Sequence, residues 1–373
     1  MRILSLVKRW EHHTASGGYD RLAQEVGGVV VRRQSGQSFG SRIGNRIWRK
    51  LSRPKAYLLD YQFQDWLAEW RLLAKARVAS PDVVHVLYGD EQLDVLLRRR
   101  RWLPCPLVVT FHLPTTRDMV RERFERVQKH LVNGVDAAIV VGRNQLADFQ
   151  RWFGPERVVY IPHGIDTKRF CPADKRLDQS VVRLVTVGDH MRDLDALHRI
   201  IDKCTHLKLP VEFDVVIRER FFPCFSGCDN VRLHAAVSED QLINLYREAD
   251  ALLLPITDAT ANNSVLESIA CGTPVISTAI GGIPDYVDEA SAWLFPKGEV
   301  DGIVRLISSA CGNREIFSSR RASARAKSLE FDWEQVKKQV VSVYEAVGNG
   351  LPVEFERNTP VVGKLTKERF NDA

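Results

Sequence analysis

The segment DALLLPITDATANNSVLESIACGTPVISTAIGGIP, Asp250–Pro284, reads as a buried strand, a polar loop, a helix, a glycine turn, a second strand and a second glycine turn. That alternation is the grammar of a parallel α/β sheet, since a strand covered on both faces is continuously apolar and has to be returned by a helix. Ala251–Leu254 is the apolar run, ended by Pro255. Asn262 or Asn263 caps a helix whose Val265, Leu266, Ile269 and Ala270 face the sheet, and Gly272 stops it. Val275 and Ile276 begin the next strand, and Gly281-Gly282 follows at its carboxyl end, where open α/β sheets place their ligands.

A helix start of this kind predicts a phosphate site, because the N–H groups of Ser264 and Val265 point into the crevice with the positive end of the helix dipole behind them. Glu267 lies one turn inside. There a carboxylate accepts two hydrogen bonds from a vicinal diol such as a ribose, or simply complements the dipole. Spacing leaves both readings open.

Leu266-Glu267-Ser268-Ile269-Ala270-Cys271-Gly272-Thr273-Pro274-Val275 resembles the second half of the signature of GT-B retaining glycosyltransferases of the family 4, or group 1, type. The resemblance implies two facing Rossmann-like domains with parallel sheets, the second holding a nucleotide-sugar donor and the first offering the acceptor surface. It implies retention of anomeric configuration without a metal or a cofactor. The first half of the signature departs: Ala259 stands where the family has a Glu that contacts the donor sugar, and Thr260-Ala261-Asn262 replaces Gly-Phe-Gly. The expectation is that Asp258, with Asn262 and Asn263, takes over the sugar contacts. A nucleotide-sugar epimerase and a noncatalytic GT-B scaffold are the alternatives.

With 373 residues, 45% hydrophobic and 27% charged, the chain has the size and composition of two folded domains. The boundaries expected are 1–165 for the first, completed by a helix over 333–347, and 166–330 for the second, with 351–373 as a tail. Met1–Val7 is too short an apolar run for a signal peptide, and no stretch is long enough to span a bilayer. The seven cysteines have no paired CxxC spacing, and their odd number argues against a disulfide framework. A reducing, cytoplasmic setting is the expectation. No GxGxxG occurs, so a dinucleotide cofactor is not implied, and no clustered metal-ligand spacing is seen.

Charge is uneven: residues 1–150 carry 25 Lys and Arg against 15 Asp and Glu. Between Glu25 and Asp60 there is no acid, whereas Arg32, Arg33, Arg42, Arg46, Arg49, Lys50, Arg53 and Lys55 supply cations, with Ile43, Ile47, Trp48 and Leu51 in helical phase. Such a stretch suits a helix lying on anionic lipid, peripheral to the cytoplasmic face, and equally a solvated basic face. No nucleic-acid module accompanies the charge.

Along the chain, Ser16-Gly17-Gly18 follows the first strand, and in the family the matching Gly-Gly loop, here Gly17 and Gly18, lies over the donor phosphates. Leu59, Phe63, Trp66, Trp70 and Leu73 form an apolar stripe. Leu107–Phe111 is a buried strand ending in His112, and Thr110-Phe111-His112 resembles the family's Thr-x-His, whose His contacts the donor sugar. Ile161-Pro162-His163-Gly164-Ile165-Asp166 resembles the interdomain segment. The diphosphate clamp of the family, an Arg and a later Lys, has Arg192 as its best counterpart here, with His190 and Arg218 behind it. His234–Val237 corresponds to the loop that receives the nucleobase. Arg314–Leu329 reads as one charged helix.

Overall fold

In the computed structural model the described residues are 1–8, 18–33, 61–174 and 181–353. Gly17, the cations from Arg42 to Lys55 and the tail from 354 onward lie outside them. The first half forms a six-stranded parallel sheet from β1 (Ile3–Val7), β2 (Val29–Arg32), β3 (Val83–Val86), β4 (Leu107–Phe111), β5 (Ala137–Val140) and β6 (Val158–Tyr160), in the order β2-β1-β3-β4-β5-β6. Its helices are α1 (Arg21–Glu25), α2 (Phe63–Ala79), α3 (Asp94–Arg98), α4 (Asp118–Gly134) and α5 (Leu146–Phe153).

The second half repeats the plan with β7 (Val182–Val187), α6 (Leu194–His206), β8 (Val211–Val216), β9 (Val231–His234), α7 (Glu239–Glu248), β10 (Ala251–Leu254), α8 (Asn263–Ala270), β11 (Val275–Thr278), α9 (Ile283–Tyr286), β12 (Ala292–Phe295) and α10 (Val300–Gly312). Its order, β12-β11-β10-β7-β8-β9, is that of a dinucleotide-type doubly wound sheet whose direction reverses between β7 and β10. Strands β3, β4, β5, β10 and β11 are buried at every position, with His85, Thr110, Ser277 and Thr278 as polar members among otherwise apolar residues. Both sheets are parallel and helix-covered, so the fold is GT-B.

The chain then returns. Residues 314–329 are two helices rather than one, α11 (Glu315–Ser318) and α12 (Arg321–Leu329), and α13 (Trp333–Gly348) crosses back onto the first sheet. Trp333, Val336, Val340, Val343 and Tyr344 of α13 share a core with Val7, Val83, Val108 and Ile139. His85 of β3 sits buried between Tyr344 Oη at 2.6 Å and Thr110 Oγ1 at 2.8 Å, and burial pushes its imidazole down to about 3, so it is a neutral bridge at pH 7. The start of the expected tail is packed: Val353 is buried and its N–H reaches the Glu156 carbonyl at 2.9 Å.

Two local expectations change. The expected stripe on α2 forms only part of its inward face: Leu73 lies in the core and Trp66 and Trp70, partly buried, pack against it, while Gln64, Asp65, Ala68, Glu69, Leu72 and Ala76 are also buried. Arg33, counted among the surface cations, turns inward, with Nε 2.8 Å from the buried Asp65 and Nη2 2.7 Å from Gln62. Asp65 is shared with the buried Lys8 at 3.9 Å, and Lys8 also contacts Glu91. A buried carboxylate needs such partners. Arg32, half-exposed and 3.7 Å from Asp20, remains at the surface.

The two halves are joined by a double crossing. Ile165 N–H donates to Phe331 O at 2.9 Å and Trp333 N–H to Ile165 O at 3.2 Å, so the outgoing and returning segments run parallel as one narrow ribbon. The indole of Trp333 lies directly on Gly164, where an added Cβ would come within 2.2 Å of the ring. Gly164→Ala is therefore expected to lower stability by about 1–3 kcal/mol, the cost of an overpacked site, and to shift the Trp333 fluorescence. A variant with unchanged denaturation midpoint and emission would contradict this packing.

Candidate active site

The carboxyl ends of β7 and β10 face the first domain, and the loops leaving them are interlocked. Asp193 N–H donates to Pro255 O at 2.9 Å and Thr257 N–H to Met191 O at 2.9 Å, while Asp193 caps α6 through Ala196 N–H at 2.9 Å. This seats Arg192 over the start of α8. Its Nε and Nη2 donate to Val187 O at 3.0 and 2.8 Å, Nη1 to His190 O at 2.9 Å, and Nη2 to Ser264 Oγ at 3.0 Å. A guanidinium has five N–H donors, so four are committed to the protein. Burial lowers its pKa to about 10, which leaves it charged at pH 7. Arg192 is a fixed positive charge at a helix N-terminus, with one N–H of Nη1 left for a ligand oxygen.

Asn262 is the N-cap of α8, its Oδ1 accepting from Val265 N–H at 3.3 Å. This corrects the reading of Val265 as a free donor in the crevice: its N–H closes the cap. Asn263, Ser264 and Glu267 occupy the first turns, with Ser264 Oγ also 3.3 Å from Val187 O. Glu267 is only 5% exposed, accepts from Tyr246 Oη at 2.9 Å, and is pushed up to about 7 by burial. His190 is exposed beside Arg192. Arg218 is not held in reserve, because it grips Asp189 with Nε and, at 2.7 Å, with Nη2. His234 Nε2 lies 2.7 Å from Asp214 Oδ1.

On the opposite wall, His112 leaves the tip of β4. Its Nε2 donates to Leu87 O at 2.8 Å, its ring stacks on Tyr88 with centroids 4.9 Å apart, and Tyr19 meets it edge-on at 4.6 Å. His163 joins this aromatic nest, 6.5 Å from His112, and burial with the neighbouring His112 pushes it down to about 3. Gly18, buried, accepts from Arg21 N–H at 3.0 Å as the loop enters α1.

The loop 258–262 spans the cleft. Asp258 accepts from Thr116 Oγ1 and from its neighbour's Ala259 N–H at 2.8 Å; Thr260 Oγ1 donates to the His112 carbonyl; and Asn144 Nδ2 donates to Ala259 O at 3.1 Å. Beside it Tyr286 Oη donates to Val141 O at 2.5 Å and accepts from His163 N–H at 2.9 Å. Arg192, Ser264 and Glu267 thus meet on one wall, while Asp258 and His112 are tied to the same interdomain bridge. Thr116, Tyr246 and Tyr286 carried no signal in the sequence, since each acts through a partner 21 to 145 residues away.

Two parallel-sheet domains facing each other across a polar cleft, with a cation fixed at a helix N-terminus, define a GT-B nucleotide-sugar-type fold. The comparisons agree. The Glycosyltransferase Family 4 model matches residues 10–169 and the Glycosyl transferases group 1 model matches 169–313, and the chain belongs to this glycosyltransferase family. It is 23% identical to the MMP alpha-(1->4)-mannosyltransferase of Mycolicibacterium hassiacum over 79% of this chain and 81% of that protein. It is 24% identical to the D-inositol 3-phosphate glycosyltransferase of Geodermatophilus obscurus over 75% of this chain and 69% of that one. In fold it resembles sucrose-phosphate synthase from Thermosynechococcus elongatus, TM-score 0.72 at 16% identity, covering 94% of this chain and 100% of that one. Anabaena HepE, solved with UDP and glucose, superposes with TM-score 0.68 at 14% identity, covering 93% and 100%.

If Glu267 meets the ribose diol of a donor, as one reading of the sequence expects, donor affinity would depend on pH. As a carboxylate it accepts from both hydroxyls of a diol, whereas the protonated form must donate at one oxygen. Its pKa of about 7 therefore predicts that affinity for a nucleotide sugar, whose diphosphate ester has no proton to lose in this range, rises from pH 6 to pH 8. Calorimetry across that window is expected to show the rise in the native chain and a flat, weaker profile in Glu267→Gln, lower by about 1–3 kcal/mol at pH 8 for a charged hydrogen bond lost.

Proposed function

We propose that this glycosyltransferase transfers a hexose from a nucleotide-diphosphate sugar to a lipid-linked or saccharide acceptor with retention of configuration, in cell-surface polysaccharide or glycolipid synthesis. The observation that carries the reading is Arg192 locked over the N-terminus of α8 with Glu267 one turn below. The diphosphate lies against Arg192, His190 and the first turn of α8 at Asn263 and Ser264, with Asn262 holding that turn in place; Gly17 and Gly18 are further donor contacts by the family resemblance. The ribose hydroxyls meet Glu267. As the bond from the anomeric carbon to the β-phosphate oxygen breaks, charge builds on the leaving phosphate, and Arg192 stabilises it without reorganising, because its donors are already fixed. The acceptor hydroxyl attacks the same face, and the departing phosphate oxygen takes its proton. His112 and Asp258 contact the transferred sugar from the two sides of the cleft. This chemistry uses no resident metal or cofactor.

His112→Ala is expected to depress turnover at least about tenfold while leaving binding of the bare nucleotide diphosphate unaltered, because the side chain meets the sugar and not the nucleotide. Asp258→Ala is expected to do the same. A thermal-shift screen against UDP, GDP, ADP and their sugar conjugates selects the donor for this assay. Product formed without acceptor would signal an epimerase, and donor binding without any product a scaffold. If His112 serves packing alone, a folded His112→Ala keeps native turnover.

The second element of the proposal is a peripheral, cytoplasmic-face location, with the basic stretch 32–55 resting on anionic lipid. Among the described residues no helix is long and apolar enough to cross a membrane. Each surface cation contributes about 1 kcal/mol near an anionic surface, and the charge term is screened over about 8 Å at physiological salt. Co-sedimentation with phosphatidylserine vesicles is expected to weaken with salt and again when Arg46, Arg49, Lys50 and Arg53 become Gln. Indifference to anionic vesicles at low salt would make the stretch a solvated face and the acceptor a soluble saccharide.

A further inference from the structure

The turn that follows β3 is pressed unusually hard against the tip of β4. Gly89 N–H donates to Thr110 O at 2.8 Å, and a Cβ at Gly89 would fall 2.2 Å from Val109 Cγ1 and 2.8 Å from Phe111 Cε1, so only glycine permits the approach. The turn supplies His112 with most of its surroundings: the Leu87 carbonyl fixes Nε2 as the protonated nitrogen, and the Tyr88 ring sets the plane of the imidazole. Its next residue, Asp90, is 5% exposed and points its carboxylate at the backbone of the same strand tip. Oδ2 accepts His112 N–H at 2.6 Å, and Oδ1 accepts Leu113 N–H at 3.4 Å.

A carboxylate buried merely to fill space is costly, and burial with the neighbouring Glu91 pushes Asp90 up to about 7. The charged group acting on it is Glu91, which is bound by Lys8. Its carboxylate accepts from its own backbone N–H and from those of His112 and Leu113, at the point where the chain leaves β4 and must aim His112 across the cleft.

We propose that Asp90 is the positioning residue for His112. It pins the main chain at His112 and Leu113, while Leu87 and Tyr88 pin the ring, so that the imidazole reaches the transferred sugar at a fixed height above the donor wall. The inference rests on the reading of His112 as a sugar contact. A displacement of about 1 Å in such a contact costs on the order of a hundredfold in rate. Asp90 itself touches no substrate and belongs to no nucleotide contact.

The test compares four proteins: native, Asp90→Asn, His112→Ala and the double variant, with the donor identified by the thermal-shift screen. Asp90→Asn keeps the shape but replaces the charged acceptor with an amide that accepts at only one atom. Expected are a fall of about ten- to a hundredfold in kcat, an unchanged Kd and unit stoichiometry for the bare nucleotide diphosphate, and no further fall when Asp90→Asn is added to His112→Ala. A structural role alone would lower the binding stoichiometry instead. If Asp90→Asn does not fold, Asp90→Ser, which retains one acceptor, is read in the same way. Native kcat in a folded Asp90 variant, or an equal additional loss in the His112→Ala background, overturns the inference. Native turnover in His112→Ala alone overturns the reading beneath it, and the two failures are distinct.

Discussion

The double crossing at Gly164 and Trp333 sets the geometry on which the cleft depends. Two chain segments, held together by the Ile165–Phe331 and Trp333–Ile165 hydrogen bonds and by Thr167 Oγ1 on Asp332, form the covalent link between the sheets. The indole against Gly164 leaves that link little room to shear. Because α13 is then spent as part of the first domain's core, the second domain is tethered at a ribbon rather than at a single flexible strand, and the carboxyl ends of the two sheets are presented to each other. Residues as far apart in sequence as His112 and Glu267 face one cleft because this ribbon is narrow and packed.

Across the cleft the contacts are of a different kind. Most are polar and lie at the edge of the cleft: Thr116 on Asp258, Thr260 on the His112 carbonyl, Asn144 on the Ala259 carbonyl, Arg143 N–H on Asp285 at 2.7 Å and Tyr286 Oη on the Val141 carbonyl at 2.5 Å. Interfaces of this sort cost little to open compared with an apolar core. The loop 258–260 therefore couples donor-side geometry to the strand tip that carries His112, so that a change on either wall is felt on the other through a single residue of backbone.

The strands, the α8 unit and the returning helix were legible in the sequence because each is a local pattern: unbroken apolar runs for β4 and β10, a 3.6-residue stripe for α13, and a cap-to-glycine frame for α8. Of the candidate site, residue types near strand tips were legible, but their partners were not. Nothing near Asp90 predicts that it will reach 22 residues forward to His112 N–H. Nothing near Arg218 predicts that Asp189 will take its charge. On α2 the aromatic spacing gave only part of the inward face, because Lys8 and Arg33 bring charge inside and draw Asp65 with them, and only the tertiary arrangement decides that acidic residues are buried there too.

The replacement of the family's Glu by Ala259 acquires a physical meaning in this setting. Ala259 is 4% exposed, packed into the apolar core of the second domain, and its carbonyl is doubly engaged, by Gly282 N–H at 2.9 Å and by Asn144 Nδ2 at 3.1 Å. A carboxylate at that position would have to be buried or would unseat the loop, so the backbone here is organised for bridging the domains, while the adjacent Asp258 is only partly buried. Asp258 is itself steadied by Thr116 from the opposite wall. Asp258 is thereby a carboxylate held jointly by both domains, by Thr116 Oγ1 on one side and by the N–H of Ala259 in its own loop on the other.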